Sequence, residues 1–222
     1  AGPAVLAILA LGSSLNIPAL RVTRPSAAEV DEFVRRQGSK GFNSRAQGHV
    51  VNYLHTGERP AGLQLCERSA VVGRGQQAYD RARNALANGE LISGVPWATI
   101  CLGGKPAEAP DLATVVQCYR SVWCLNPCRV TYAALGTTHS TVAYATLNGH
   151  LLEGEEAFDL RMALDGRVHV RVASLSKGSG VLGTLATPFI APIRRAFLAA
   201  AAQSFVSREV AAQRLILGEE IA

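Results

Sequence analysis

The sequence predicts an α+β fold in which a curved antiparallel sheet wraps one long C-terminal helix. Three observations carry this. Residues 144–177 alternate apolar and polar side chains over two consecutive stretches, the pattern of a half-buried β-hairpin. Strand-like segments at residues 115–123, 128–135 and 141–147 precede it. After it, Phe189, Ile193, Phe197, Ala201 and Phe205 step by four through an Ala-rich stretch, as one buried helix face does.

The elements follow in order. Ser26 as N-cap, with Glu29 three residues on, predicts a helix over AAEVDEFVRRQ that ends at Gly38. Residues 39–61 read as loop with short extended pieces. Val71-Val72 lead into Gly73-Arg74-Gly75, which is a tight turn or an anion seat at a helix start. No Lys-Ser/Thr follows, so it is not a P-loop. Residues 76–88 are helical up to Gly89, with Ala78, Ala82, Ala85 and Leu86 as the buried stripe. Residues 102–110 form a Gly/Pro loop.

In the hairpin, Phe158, Leu160 and Met162 alternate with Asp159, Arg161 and Ala163, and Val168, Val170 and Val172 with His169 and Arg171. A two-residue Asp165-Gly166 turn would set Leu160 against Arg171. A three-residue loop, Leu164-Asp165-Gly166, pairs Phe158 with Val172, Leu160 with Val170 and Met162 with Val168. The apolar face decides for the latter, with Gly166 left-handed. Asp159 then faces Arg171, and Arg161 faces His169, on a solvated side. Thr187 followed by Pro188 predicts the start of the last helix, with Phe189 on its buried face. The organisation is an apolar arm over residues 1–20, one domain over 21–206 and a helical tail over 207–222.

Composition narrows the function. The chain is 222 residues long, 48% hydrophobic, 18% charged and carries a net charge of +5. Its arginines are scattered without interleaved aromatics, which argues against nucleic acid as a partner. Five cysteines stand at Cys66, Cys101, Cys118, Cys124 and Cys128, an odd number without Cys-x-x-Cys. In apolar strand sequence they read as small hydrophobes, so no metal is expected. The arm's uninterrupted apolar run, residues 4–11, falls short of the roughly 18–20 residues that span a bilayer. It reads as a segment covered by its own domain, a partner or a membrane surface. Gly178-Ser179-Gly180-Val181-Leu182-Gly183 spells G-x-G-x-x-G, but it follows an antiparallel hairpin and no acidic strand end comes after it. A strand-to-helix loop is expected there, with no dinucleotide cofactor. On a strand, His150 and Glu156 share one face and Glu153 and Glu155 the other. The first pair is either an inward functional pair or a polar strand end at a rim.

The order of elements resembles the helix-grip fold of the START and polyketide-cyclase-like superfamily, where a cavity lies between sheet and last helix. TLNGHLLEGEEAFDL, DGRVHVRVASLSK and TPFIAPIRRAF together resemble the domain of unknown function 1990 family. VVGRGQQAYDRARNALANGELISGVPWATI resembles that family's Gly-x-Gly, helix and Trp block, and RVTRPSAAEVDEFVRRQGSKGFN its Arg-Pro-Ser opening. The likeness spans roughly residues 21–206. It departs where the family has an aromatic after Phe42-Asn43 and a Gly-Ala-Thr beyond: this chain has Ser44 and Gly48-His49-Val50.

The resemblance implies no established reaction and no cofactor. It implies a non-enzymatic domain that holds a hydrophobic small molecule or lipid between sheet and helix, and an enzyme of the cyclase type ranks well behind. Tyr119, Trp123, Tyr132, Tyr144 and Phe158, spaced along the strands, and Phe197 on the helix are the candidate lining. His150 or Tyr144 would orient the ligand. Ordinary core packing is the alternative reading of the aromatics. Plant relatives, associated with the plastid outer envelope and a proposed cation channel, imply a second function. The chain would be an accessory subunit of an organellar membrane assembly, plastid favoured over mitochondrial, docked through its arm and tail. The strands counted are too few for a lipid-facing closed barrel.

Overall fold

The computed structural model describes residues 20–44 and 47–216, so the apolar arm up to residue 19 lies outside the described residues. The chain forms β1 (Leu20–Arg21), α1 (Ala27–Arg35), α2 (His49–Thr56), β2 (Gln64–Arg74), α3 (Gly75–Ala87), β3 (Ala98–Leu102), β4 (Asp111–Tyr119), β5 (Val122–Leu135), β6 (His139–Thr146), β7 (Leu152–Met162), β8 (Arg167–Gly178) and α4 (Gly180–Ile216). The strands make one antiparallel sheet in the order β2-β8-β7-β6-β5-β4-β3, with β1 attached to β5. Register shifts at Val71/Gly73, Gln117/Tyr119 and Val130/Tyr132 bend it into a trough. The last helix lies in that trough, which is the helix-grip arrangement.

The hairpin β7–β8 has the register its apolar face requires: Phe158 opposes Val172, Leu160 Val170 and Met162 Val168. Ala163 N–H donates to Arg167 O at 2.8 Å, closing a three-residue loop whose Gly166 has φ 79°. Asp159 opposes Arg171 and Arg161 opposes His169, as expected. The second face is not solvated, however. It is covered by α2, whose Val50, Tyr53 and Leu54 pack on Ala143, Ala157, Ala173 and Leu175. Asp159 is consequently buried, and it pairs along its own strand with Arg161 and across to His139 at 2.6 Å, while Arg171 pairs with Glu67.

Helix α2 corrects the loop expected over residues 39–61. Its two valines are weak helix formers, so propensity hides it. A buried carboxylate from the sheet holds its start: Glu155 accepts the N–H groups of Gly48 at 2.5 Å and Val50 at 3.0 Å. That satisfies donors a helix N-terminus otherwise leaves open. Helix α1 carries the predicted capping box between Ser26 and Glu29 and lays Val30 and Val34 on the outer face of β4 and β5.

Three other boundaries differ from expectation. The strand signal at 115–123 is split by a turn at Arg120, whose φ is 41°, so Trp123 belongs to β5. Strand β2 runs eleven residues, where sequence showed only Val71-Val72, because an edge strand needs no apolar alternation. Helix α4 begins at Gly180, with Thr187, Pro188 and Pro192 in its interior. Pro188 does not start the helix because the first turn is anchored upstream. Ser179 N–H donates to Leu151 O at 2.9 Å, and Gly183 packs against that same carbonyl.

Between sheet and α4 lie two different interiors. Towards the C-terminal half of α4, Phe197, Leu198, Ala201, Ala202 and Phe205 pack on Phe158, Leu160, Val170 and Val172, with α3 adding Ala78, Tyr79, Ala82, Ala85 and Leu86. Each large apolar side chain buried this way contributes about 1.5–3 kcal/mol. Towards the N-terminal half of α4 the inner face of the sheet turns polar. The expected buried step at Phe189 is wrong: that residue is 69% exposed, because Gly183, Ile190, Ile193 and Phe197 take the sheet-facing side of α4 and leave Phe189 on the outer side with Val181 and Leu185.

Candidate functional site

A cavity of about 110 Å³ lies between this part of the sheet and α4. Thr114, Cys118, Cys124 and Asn126 reach it from β4 and β5, Tyr144 and Thr146 from β6, and Glu156, Ser174 and Ser176 from β7 and β8. Leu151 and Leu152 close one side, and Ile190, Ile193, Arg194 and Phe197 of α4 form the roof. The space exists partly because β7 carries Gly154 opposite Ser176. Gly154 has φ 151°, and a Cβ there would lie 2.1 Å from Leu175 O. Thr146 ties this bare backbone down, accepting from Gly154 N–H at 2.9 Å. Phe42-Asn43 borders the same corner: Asn43 accepts from the Thr146 hydroxyl at 2.5 Å and donates to Leu152 O at 2.8 Å.

The electrostatics are set by burial. Glu156 is 8% exposed and accepts a hydrogen bond from the Tyr144 hydroxyl. Burial pushes its carboxyl up to about 7, although that bond and the charge of Arg194 both hold it down. Burial, and then the nearby Glu156 charge, raise the Tyr144 phenol well above its ordinary value. His150 sits in the turn before β7 rather than on the strand. Its Nδ1 accepts from Leu152 N–H at 2.8 Å, which puts the neutral ring's proton on Nε2, and burial lowers its pKa to about 3. The Cys118 thiol donates to Val116 O at 3.5 Å and the Cys124 thiol to Asn126 Oδ1 at 3.2 Å, and the influence of each thiol on the other lowers the first and raises the second. All five cysteines are free thiols, and among the described residues no three His, Cys, Asp or Glu side chains gather as a metal set.

Arg194 is the cation of the cavity. Its Nη1 donates to the Ser176 hydroxyl, and its Nε is buried without a hydrogen-bond partner. A second recess of about 310 Å³ lies between α3 and α4, but its charges are already neutralised by the pairs Arg81–Glu209 at 2.5 Å and Arg208–Glu90 at 3.3 Å.

The model of the domain of unknown function DUF1990 matches residues 29–212. This chain belongs to the DUF1990 family. A UPF0548 protein of Arabidopsis thaliana is 25% identical over 180 residues, 75% of this chain and 86% of the relative. A UPF0548 protein of Deinococcus radiodurans is 26% identical over 184 residues, 77% and 89% of the two chains. Among solved structures, the Zhui aromatase/cyclase from Streptomyces sp. R1128 is similar with a TM-score of 0.49 and 10% identity, over 69% of this chain and 96% of that one.

In this DUF1990 chain Tyr144, His150 and Phe197 line the cavity. Phe158 lies deeper, in the core, with its ring 6.5 Å from Tyr144 and 6.3 Å from Phe205. Three expected lining residues point elsewhere. Trp123 neighbours Cys124 on β5, so the pleat turns it outward, under α1 and the Arg24 guanidinium. Tyr132 follows the register shift at Val130 and opposes Ala143, which puts it on the outer face, 38% exposed. Tyr119 sits at the β4–β5 turn, 42% exposed. The three glutamates of β7 divide by face as their spacing predicts, while His150 reaches the cavity from the turn before the strand. Glu156 points into the cavity and is not a rim residue, whereas Glu155 caps α2 and Glu153 pairs with Lys177 at 3.0 Å.

The residues missed from sequence were Arg194, Ser174, Ser176, Asn126 and Thr114. A signal existed for two of them: the alternation Val168, Val170, Val172 continues to Ser174 and Ser176, polar side chains at inward positions. In the G-x-G-x-x-G stretch, a Cβ at Gly178 would come 2.5 Å from Gly183, and Gly178 and Gly183 let α4 start hard against β8, while Gly180 supplies a left-handed φ of 59°.

Proposed function

We propose that this DUF1990 protein binds a compact, largely apolar organic molecule in the cavity between its curled sheet and α4. One observation carries the reading. Thr114, Asn126, Tyr144, Glu156, Ser174 and Ser176 converge on a space roofed by Ile190, Ile193 and Phe197. A core that only needed to be stable would be apolar there, because buried polar groups cost free energy unless they are partnered. The volume sets the size of the guest. At about 110 Å³ it is comparable to the engineered apolar cavity of roughly 150 Å³ that accepts benzene, and well below the roughly 300 Å³ at which drug-sized pockets begin. A long acyl chain enters only if the first half of α4 moves aside. Ligand-observed NMR with small aromatic probes on the full chain tests this: saturable binding is expected, and Phe197→Trp, which fills the roof, should abolish it. Absence of binding by every probe refutes the reading.

A second reading, an accessory role on an organellar membrane, has an observation of its own. Val181, Leu185 and Phe189 form an exposed apolar stripe on α4, and no acidic residue occurs from Ser179 to Ser207. By length and composition α4 is the one helix among the described residues that could cross a membrane, although its second half is packed on the sheet. Flotation with anionic vesicles tests it: Phe189→Asp should weaken association, as should removal of residues 1–18. Vesicle binding that neither change affects refutes it.

A further inference from the structure

We infer that the ligand of this cavity carries a single carboxylate, received by Arg194, with its compact apolar body lying under Ile190, Ile193 and Phe197. The inference rests on the proposed binding function and goes beyond it by naming the chemical class.

Arg194 is held by geometry. It enters from α4, and its Nη1 is occupied by the hydroxyl and, at 3.5 Å, the carbonyl of Ser176. That contact leaves the Nε edge of the fork. Nε is buried and makes no hydrogen bond, so one donor of that edge is unpartnered, and a carboxylate in the cavity reaches it as the guanidinium turns towards the guest. Among the described residues no acidic side chain forms an ion pair with Arg194. A guanidinium edge is the donor pair that matches a carboxylate in a planar, bidentate contact. A half-buried guanidinium with a buried, unpartnered Nε and no carboxylate bonded to it is a receptor for an anionic guest, which would supply the missing partner.

Glu156 is the nearest candidate for an internal counter-ion, but it does not serve as one. Its Oε1 is engaged by the Tyr144 hydroxyl, and Ser174 stands opposite it on β8. The groups facing Glu156 are Tyr144 on β6, Cys128 on β5 and Arg194 on α4; only Arg194 is charged at neutral pH. With burial holding its carboxyl up to about 7, Glu156 carries a proton in a large fraction of molecules, and that proton can be donated to a ligand oxygen. Ionised, Glu156 would repel the guest. A phosphate fits less well: the lining holds one cation, His150 is neutral, and a dianion would leave a charge unmatched. An uncharged guest would leave Nε as it is now.

The test uses benzoate, benzamide and toluene as probes of nearly equal shape, with inorganic phosphate as a fourth, on the full chain by calorimetry and ligand-observed NMR. Benzoate is expected to bind at least about tenfold more tightly than benzamide, the equivalent of one charge-assisted hydrogen bond. Its affinity should fall as pH rises from 6 to 8, a range in which benzoate itself stays ionised. Arg194→Gln should remove the preference for benzoate and change toluene binding little. Benzamide matching benzoate, benzoate binding unchanged in Arg194→Gln, or phosphate outcompeting benzoate overturns the inference. If toluene and benzamide bind and benzoate does not, the cavity function stands and the carboxylate assignment falls; if no organic probe binds, both fall. Should Arg194→Gln fail to fold by circular dichroism, the benzoate-to-benzamide ratio in the unaltered chain decides alone.

Discussion

Replacing Glu156 by Gln should stabilise the protein, and only at the alkaline end of its range. The Glu156 carboxyl titrates at about 7 in the fold against an ordinary 4.5, chiefly because burial disfavours its charged form. The difference of roughly 2.5 pH units corresponds to about 3 kcal/mol at about 1.4 kcal/mol per unit. The sign follows from proton counts. Between pH 4.5 and 7 the folded protein holds a proton on Glu156 that the unfolded chain has lost. Raising pH through this window therefore lowers stability, and the loss is complete above the folded pKa. Gln carries no charge and still offers Tyr144 an acceptor. The stability difference, variant minus unaltered chain, should thus swing by about 2–3 kcal/mol in favour of Gln between pH 5 and pH 8. His150 acts in the opposite direction. Its folded pKa is lowered to about 3 from 6.5, so its contribution is present above 6.5 and lost as pH falls. Both proteins contain His150, so it cancels in the difference. Urea titrations of the two proteins at pH 5, 6, 7 and 8 measure the swing. A swing below about 0.5 kcal/mol would mean that water reaches Glu156 and that burial does not set the charge state of its carboxyl.

Three further outcomes can be checked. Phe197→Ala should cost about 3 kcal/mol, the lower part of the usual range for a buried Phe because the ring borders an existing cavity, while Phe189→Ala should change stability by less than about 0.5 kcal/mol; denaturant midpoints compare them. Glu155→Ala should cost about 2–4 kcal/mol, because it strips two charge-assisted hydrogen bonds from the start of α2, and amide exchange in residues 48–56 should accelerate before the rest of the chain. Gly183→Ala should lower the thermal midpoint, since the new Cβ would meet Leu151 O at 2.2 Å, and calorimetry with NAD, NADP or FAD should show no saturable binding in the unaltered chain; binding that Gly180→Val abolishes would contradict the reading of this stretch as a strand-to-helix connection.

Much of the frame was legible from local chemistry. The hairpin register followed from the parity of Phe158, Leu160, Met162, Val168, Val170 and Val172. The capping box at Ser26 and the helix ending at Asn88 followed from a few neighbouring residues. The site was legible only in part. Tyr144, His150 and Phe197 border the cavity, but the direction of Trp123, Tyr119 and Tyr132 depends on turns and bulges that shift the pleat by one residue, which aromatic character does not reveal. Arg194 and Ser176 were not chosen at all, since eighteen residues separate them and only the docking of α4 brings them together.

By itself the sequence determined the parity of each strand, the helix stripes and the order of elements, because these rest on backbone periodicity and on contacts a few residues apart. The tertiary structure decided which faces are covered. It seated α2 on the second face of β7 and β8 through Glu155, started α4 at Gly180 in spite of two prolines, and set the helix phase that turns Phe189 outward to solvent. It also decided that Glu156 and Arg194 border one cavity without pairing. Burial and charge state belong to the packed arrangement of distant segments, and no window along the chain contains that information.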